Sequence, residues 1–277
     1  MELDERIATW PPGRRGLIWM TMTDHEPVVS GAVGDLETTF AWASVTKVAT
    51  ALCLVVAVEN GLIELDVSCG PRGSTLRQLL SHSGGIAPGS PEALCDPGTR
   101  RIYSNAGFEI AAGLLEQVTG TPFSERLRST IFEPLGMSRT TLEGSPATGI
   151  EGPVAELARL LAEVMDPTLI TAAVAEEMRT IQFPDLVGTL PGFGRQSPCP
   201  WGLGFEVKGT KAPHWTGREW SQRTVGHFGQ AGGFLVVDPE HFMGVATLGD
   251  VDFGAWAADG WPPLLDDLLE ARGALGR

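Results

Sequence analysis

The sequence lacks the features that mark several common classes of protein. Its net charge is −14, so it has no surplus of the basic residues that bind nucleic acids and anionic membranes. Its four cysteines are scattered and form no Cys-x-x-Cys pair, which leaves metal and redox motifs unsupported. Tyrosine occurs once, as Tyr103. We therefore expect no metal, no cofactor, no nucleic-acid partner and no membrane partner.

We also expect neither a signal peptide nor a transmembrane helix. Residues 1 to 6 are mostly charged and contain no apolar stretch of the kind found in a signal peptide. No uninterrupted apolar segment reaches transmembrane length. These absences favour a cytoplasmic protein with reduced thiols, and Cys53 is expected to fill space in the core. The oligomeric state stays open.

The most apolar stretch runs from Val45 to Val58, with Lys47 as its only charge, and Gly61 follows its end. This pattern predicts a helix that is apolar on all sides and lies in the core of a sizeable domain. Ser44 stands at its start, and Lys47 follows on the same helical face, about 5–6 Å away at Cβ. Either Ser44 is an N-cap and Lys47 reaches to solvent, or Ser44 is a nucleophile and Lys47 takes its proton.

Strand patterns stand at both ends of the chain, and helical patterns lie between them. We therefore predict an α/β (α+β) fold, in which N- and C-terminal segments build one antiparallel sheet with flanking helices and a mainly helical region is inserted. The predicted domains are 1–64 with 196–277, and 65–195. The predicted strands are Leu17–Met22, Pro27–Val33, Trp201–Val207, Arg223–Phe228, Gly233–Val237 and Phe242–Leu248.

Two further stretches carry groups suited to chemistry. Tyr103-Ser104-Asn105 precedes a predicted helix, and its phenol could shuttle a proton, although the stretch by itself favours a half-buried tyrosine beside an asparagine N-cap. The glycine-rich stretch from Gly226 to Gly233 contains His227 and lets a backbone approach a ligand closely. A plain hairpin with an exposed histidine is the alternative.

Taken together, these stretches resemble a known superfamily. Ser44-Val45-Thr46-Lys47, Tyr103-Ser104-Asn105 and His227-Phe228-Gly229 stand in the order found in serine β-lactamases and penicillin-binding proteins. The Tyr-x-Asn motif resembles the class C β-lactamase-like branch, with its family VIII esterases, D-alanyl-D-alanine carboxypeptidases and D-aminopeptidases. Segments such as Leu79–Gly85 and Ile131–Met137 resemble that branch too. The resemblance implies a β-lactamase/transpeptidase-like fold and a serine hydrolase.

The resemblance also implies catalytic roles for three residues. Ser44 would attack an ester or amide carbonyl and form an acyl-enzyme. Lys47, with Tyr103, would remove the hydroxyl proton, and Tyr103 would then protonate the leaving group. The helix start and a low-dielectric surrounding would favour the neutral lysine that this role requires.

Four other residues are implied as substrate-binding residues. Asn105 would hold the substrate amide or the lysine head group. His227 would take the place of the lysine of the third motif, followed by Gly229. The backbone amide of Gln230, with that of Ser44, would form the oxyanion hole.

The third motif departs from that of a β-lactamase. Phe228 stands where threonine is usual, and His227 is a weaker, pH-dependent cation than lysine. We therefore expect a neutral ester or small amide as substrate and poor turnover of penicillin. A D-amino-acid peptidase or amidase, a weak β-lactamase and a catalytically weak binding module remain alternatives. We expect His82 to be structural and His25, His214 and His241 to be surface residues. Trp42, Trp201, Trp215 and Trp220 could line the pocket, although core packing is the more common fate of aromatic side chains.

Overall fold

The computed structural model of the protein describes residues 3–275. Its helices are α1 (Leu3–Ile7), α2 (Thr46–Glu59), α3 (Leu76–Leu80), α4 (Asn105–Thr119), α5 (Phe123–Leu127), α6 (Val154–Met165), α7 (Ala172–Arg179) and α8 (Ala255–Leu275). Its strands are β1 (Arg15–Thr23), β2 (Glu26–Gly34), β3 (Thr39–Ala41), β4 (Thr141–Leu142), β5 (Ile150–Pro153), β6 (Gly188–Leu190), β7 (Gly194–Gln196), β8 (Glu206–Val207), β9 (Val225–Phe228), β10 (Phe234–Asp238) and β11 (Met243–Gly249).

The central feature is a six-stranded antiparallel sheet in the order β2-β1-β11-β10-β9-β8. β1 pairs with β11 from Arg15 opposite Gly249 to Thr21 opposite Met243, so the N- and C-terminal parts of the chain are joined in mid-sheet. The sheet places β9, which carries the third motif, beside β10. The predicted fold is confirmed, whereas the domain bounds stay a prediction.

Helix α2 lies in the core, as its apolar pattern predicts. Every residue from Thr46 to Ala57 is buried, and α2 packs against α4 and α5. Burial of each large aliphatic side chain stabilises the fold by roughly 1.5–3 kcal/mol, so the helix is held firmly in place. Its C-terminus is followed by Gly61 at φ +70°, a left-handed conformation that favours glycine. The start of α2 is therefore a fixed platform for Ser44 and Lys47.

The structure differs from the sequence-based prediction in several connections. β8 covers only the last two residues of the predicted strand Trp201–Val207. The glycine and proline content of residues 183–200 predicts a loop, but this segment contains the β6–β7 hairpin. The leucine pattern of residues 264–271 predicts a final helix, but α8 begins at Ala255 and contains Pro262 and Pro263. Prolines argue against a helix interior, but Ala257, Trp261 and Leu264 of this helix are buried in an apolar cluster that tertiary packing supplies.

Three properties of the described residues bear on the classes considered above. Between residues 3 and 275, no helix combines the length and the apolar character that crossing a membrane requires. Within the same range, no three histidine, cysteine or acidic side chains come together as a potential metal site. All four cysteines are free, and Cys53 is buried inside α2 as predicted.

Candidate active site

Ser44 lies in a short 3-10 turn, Ala43–Val45, that leads into α2. Its side chain makes no capping hydrogen bond, so the N-cap interpretation is wrong. Ala43, directly before it, has φ +45°, a conformation that residues with a Cβ rarely adopt and that costs about 1–3 kcal/mol. Strain of this kind persists where surrounding packing imposes it, and here it presents a half-buried hydroxyl at the helix start.

Lys47 is completely buried, with 0% of its surface exposed, which excludes the interpretation in which it reaches solvent. Its Nζ lies 2.7 Å from Oδ1 of Asn105, 2.9 Å from the carbonyl oxygen of Ala147 and 3.3 Å from Oγ of Ser44. The first two partners are oxygens that can only accept. A neutral amine has two N–H donors and one lone pair, and these two contacts use both donors. The lone pair is then left for the Ser44 hydroxyl.

The charge state of Lys47 fits this arrangement. Burial lowers the pKa of its amine to about 7, and the negative charge of Glu109 opposes this shift. Desolvation penalises the ammonium form, and no carboxylate among the described residues pairs with Nζ. A substantial fraction of Lys47 is therefore neutral at neutral pH, which is what a general base requires.

Asn105 is free to serve Lys47 because another residue caps helix α4. The Ser104 side chain accepts a hydrogen bond of 3.0 Å from the backbone N–H of Gly107, so Ser104 is the N-cap. The interpretation of Asn105 as an N-cap is therefore wrong. Asn105 is the first residue of α4, and its amide oxygen contacts the buried amine instead.

Tyr103 brings a phenol to the same place. Its ring lies 4.8 Å from Nζ of Lys47, and its hydroxyl is close enough to Ser44 for the two groups to interact. Burial raises the pKa of the phenol well above its ordinary value, and the Ser44 contact offsets only part of the rise. Tyr103 therefore keeps its proton across the physiological range and acts as a donor. The structure thus brings together the hydroxyl and the amine of one segment and the phenol of a second, distant segment.

His227 is neutral, contrary to the prediction of a pH-dependent cation. Burial lowers the pKa of its imidazole to about 3, with a further contribution from the nearby Lys47 charge. Nδ1 lies 2.8 Å from the carbonyl oxygen of Phe228, which can only accept, so Nδ1 carries the hydrogen. Nε2 is consequently an unprotonated acceptor. It is buried and has no hydrogen-bond partner in the part of the chain that the structure describes.

Phe228 faces the opposite side of β9. It is buried in the apolar cluster that contains Trp261, and its ring centroid lies 4.8 Å from that of Phe253 and 5.9 Å from that of Trp261. Since successive strand residues point to opposite faces, His227 faces the site while Phe228 supports the core. The substrate-facing side of the third motif is thus an imidazole and backbone, without a hydroxyl at position 228.

The backbone after His227 passes close to Ser44. A Cβ added to Gly229 would lie 2.5 Å from the carbonyl oxygen of Trp42 and 3.2 Å from the backbone nitrogen of Ser44. Only glycine allows this approach. Among residues 3–275, the N–H groups of Ser44 and Gln230 donate to no other backbone group. These two amides are the pair predicted for the oxyanion hole, and both are available.

The remaining histidine predictions have mixed outcomes. His82 is buried, its Nδ1 accepts a hydrogen bond of 3.1 Å from the backbone N–H of Ser104, and its ring lies 4.5 Å from that of Tyr103. It is structural, as predicted. His25 is exposed and His241 is partly exposed. His214 is not a surface residue, because it is buried with its Nε2 2.9 Å from Oε1 of Glu206.

The tryptophans also divide between two environments. Trp201 packs beside the site, with ring centroids 4.6 Å from His82, 5.5 Å from His227 and 5.9 Å from Tyr103. The other three pack in the core, which is the more common fate of aromatic side chains. Trp42, Trp215 and Trp220 are each at most 2% exposed.

Two large cavities open on the surface, and one of them borders the site. A cleft of about 580 Å³ is lined in part by Tyr103 and by Val187 and Thr189 of the neighbouring hairpin segment. A larger cavity of about 900 Å³ lies elsewhere and is lined in part by Lys208 and Lys211. In that larger cavity both amines are already bound to protein oxygens, so they offer little to a ligand.

Sequence reasoning missed several contributors to the site. The carbonyl oxygen of Ala147 fixes the Lys47 amine, but a backbone group leaves no residue-type signal. Glu109 acts on the amine through its charge, and its spacing of four residues from Asn105 on one helix face could have indicated this. The arginines of the cleft, Arg100, Arg101 and Arg195, were not singled out.

Comparisons with known proteins agree with this geometry. The family model described as Beta-lactamase matches residues 5–269. The crystal structure of a beta-lactamase from Mycobacterium bovis is 42% identical, covers 98% of this chain and 99% of its own, and superimposes with a TM-score of 0.94. A simvastatin synthase from Aspergillus terreus shares the fold, with 14% identity, 96% coverage of both chains and a TM-score of 0.79.

A curated relative gives a more distant match. A Salmonella paratyphi B protein provisionally named a D-alanyl-D-alanine carboxypeptidase is 24% identical over 200 residues. The match covers 56% of this chain and 46% of the relative. The chain thus spans about half the length of the curated relatives it matches.

Proposed function

The chain belongs to the Beta-lactamase family of serine hydrolases, and from this premise we propose that it hydrolyses an ester or a small amide through an acyl-enzyme at Ser44. The observation that carries the proposal is the environment of Lys47. Its two neutral-state hydrogens are committed to Asn105 and Ala147, so its lone pair faces the Ser44 hydroxyl. A serine beside such an amine is an activated nucleophile.

Acylation follows from these contacts. The Ser44 proton passes to Nζ of Lys47 as Oγ forms a bond to the carbonyl carbon, and the carbonyl electron pair moves onto oxygen. The N–H groups of Ser44 and Gln230 stabilise that oxyanion. A single donor of this kind contributes about 10²- to 10³-fold to kcat.

Collapse of the tetrahedral intermediate breaks the bond to the leaving group. Tyr103 gives its proton to the leaving oxygen or nitrogen and recovers one from the Lys47 ammonium. The direction of transfer is downhill, because the pKa of Lys47 is about 7 and that of Tyr103 is raised well above its ordinary value. Neutral Lys47 then accepts a proton from water as the water oxygen attacks the acyl carbon. The bond between that carbon and Oγ of Ser44 breaks, the acid is released, and the Lys47 ammonium returns a proton to Oγ.

The preference for an ester or small amide over a penicillin rests on the third motif. His227 is neutral and Phe228 turns its ring into the core, so the motif offers neither a fixed cation nor a hydroxyl to a β-lactam carboxylate. His227 presents instead an acceptor nitrogen that suits a substrate N–H or O–H.

The test combines turnover with covalent labelling. Wild-type protein, Ser44→Ala and the matched control Ser30→Ala are incubated with p-nitrophenyl butyrate, with nitrocefin and with an alkyl fluorophosphonate. Ser30 is exposed on β2, away from the site. We expect the wild type and Ser30→Ala to hydrolyse the butyrate and to gain one phosphonyl group by intact mass. Ser44→Ala should do neither.

Each of the other outcomes would contradict the proposed function or support a different one. Labelling that persists in Ser44→Ala would remove the nucleophile assignment. Nitrocefin turnover that exceeds butyrate turnover would make the protein a β-lactamase. A D-alanyl-D-alanine substrate cleaved in preference to the ester would make it a peptidase. Failure of the wild type to react with any probe would support a binding module.

A further inference from the structure

The cleft beside Tyr103 has a charge opposite to that of the protein as a whole. The chain has 34 acidic and 20 basic residues. The cleft is nevertheless lined by Arg100, Arg101 and Arg195, and no aspartate or glutamate is among the described residues that line it. Local potential decides which small molecules concentrate in a cleft, so this opening attracts anions despite the net charge.

The exposed arginines of the cleft are uncommitted. Arg100 and Arg195 are exposed, and within residues 3–275 neither forms an ion pair. By contrast, Arg72 and Arg77 pair with carboxylates, at 2.8 Å from Asp96 in the first case. In a chain with an excess of acidic groups, two unpaired guanidinium groups that line one cleft are left free for a ligand.

Arg101 adds a fixed positive charge beneath them. Its guanidinium is buried and donates to backbone carbonyl oxygens, among them those of Cys199 at 3.0 Å and Gln182 at 2.7 Å. No carboxylate in the described chain neutralises it. Burial lowers the pKa of Arg101 only to about 10, so it stays charged at neutral pH.

The two exposed arginines are carried by segments that are tied together. The backbone N–H of Arg101 donates to the carbonyl oxygen of Val187 at 3.0 Å, and Arg101 forms a bridge with Gly188. Arg195 stands opposite Thr189 in the β6–β7 hairpin that follows. The Tyr103 segment and the hairpin therefore form two walls of one cleft, with a guanidinium on each.

We propose that the substrate carries a carboxylate, joined through a short apolar spacer to the ester or amide group and bound by Arg100 and Arg195. The inference rests on the proposed function, and it replaces the expectation of a neutral substrate. Guanidinium groups suit carboxylates because they offer paired donors in one plane. Leu94, Ile102 and Val187 supply apolar wall for the spacer.

The test compares esters that differ in one charge. Mono-p-nitrophenyl glutarate is paired with p-nitrophenyl valerate, which places the carboxylate on the acyl side. 4-Acetoxybenzoate is paired with its methyl ester, which places it on the leaving group. The ratio of kcat/KM within each pair is measured for wild type, Arg100→Gln, Arg195→Gln and the double variant. Arg218→Gln removes one exposed charge outside the cleft and is the matched control.

We expect the wild type to prefer the anionic member of at least one pair. Each cleft variant should lower that ratio about five- to tenfold, since charge-assisted hydrogen bonds at a partly exposed site are lost. Raising NaCl from 50 to 500 mM should lower the wild-type ratio and leave that of the double variant unchanged. The Arg218→Gln ratio should equal the wild-type ratio.

Failure of the carboxylate-subsite proposal can be distinguished from failure of the hydrolase proposal. If both ratios are the same in wild type and double variant, the carboxylate subsite is refuted, while fluorophosphonate labelling of Ser44 keeps the hydrolase proposal intact. If wild-type Ser44 is not labelled and no ester is cleaved, the hydrolase proposal itself fails. A variant that loses both esters of a pair equally leaves the ratio unchanged and counts against the subsite.

Discussion

The ionisation of Lys47 should set the pH dependence of acylation. With a pKa of about 7, roughly three quarters of the amine is neutral at pH 7.5. An ordinary lysine, with a pKa of 10.5, would be about one part in a thousand neutral. His227 and Tyr103 do not titrate in this range, because burial moves the pKa of the imidazole down to about 3 and that of the phenol upwards.

The expected profile of kcat/KM for p-nitrophenyl butyrate follows from this single group. Below pH 7 it should rise about tenfold per pH unit, and above pH 8 it should be flat. Initial rates are measured from pH 5 to 9.5, with spontaneous hydrolysis subtracted. Ser44→Ala provides the background at each pH.

Two substitutions should move the midpoint of the pH profile of kcat/KM in opposite directions. Asn105→Asp places a carboxylate where an amide oxygen now lies 2.7 Å from Nζ, which favours the ammonium and should raise the midpoint by about 1–3 units. Glu109→Gln removes an exposed charge that raises the pKa of Lys47, so the midpoint should fall by roughly a few tenths of a unit. Glu125→Gln is the control for an exposed glutamate that does not act on Lys47. A wild-type midpoint near 10, or an unmoved midpoint in Asn105→Asp, would refute the reasoning.

Three further outcomes test other contacts. The unfolded state holds the Lys47 proton up to pH 10.5 and the folded state only to about 7, so wild-type stability should rise with pH in that window. Between pH 7 and 9, the free energy of unfolding measured in urea should increase by about 2 kcal/mol more for the wild type than for Lys47→Met. The same dependence on pH in both proteins would contradict this. Gly229→Ala should lower kcat/KM about 10²-fold or more. The control Gly113→Ala, with open space around the added Cβ, should leave kcat/KM unchanged, and equal effects of the two substitutions would contradict the close approach of Gly229 to Ser44. Tyr103→Phe should lower kcat about 10²- to 10⁴-fold with the folded state retained by circular dichroism, and near-normal turnover would remove its proton-donor role.

Much of the fold was readable from local pattern. The composition of the run from Val45 to Val58 predicts that it is buried, because a helix without a polar face is stable only in a core. The hairpin of β1 and β2 was readable from two apolar stretches joined by the polar tip at residues 23–26. In contrast, the β6–β7 hairpin and the early start of α8 depend on tertiary contacts that outweigh the local signals of glycine and proline.

The sequence predicted which residues form the site better than it predicted their protonation and their neighbours. The motif pattern named Ser44, Lys47 and Tyr103, and the structure brings them together. The sequence could not give the neutrality of His227, since the pKa of an imidazole depends on burial and on the carbonyl that fixes its tautomer. It also could not place Arg195 in the same cleft as Tyr103, because the two residues belong to segments far apart in the chain.

The most direct measurement of the central claim is the site and rate of covalent labelling. Wild type and Lys47→Met are treated with the same fluorophosphonate at pH 7.5, sampled over time, digested and mapped by tandem mass spectrometry. We predict that wild-type protein carries the phosphonyl group on Ser44 and that Lys47→Met reacts at least about 10²-fold more slowly. A label on another residue, or equal rates in the two proteins, would contradict activation of Ser44 by the buried amine.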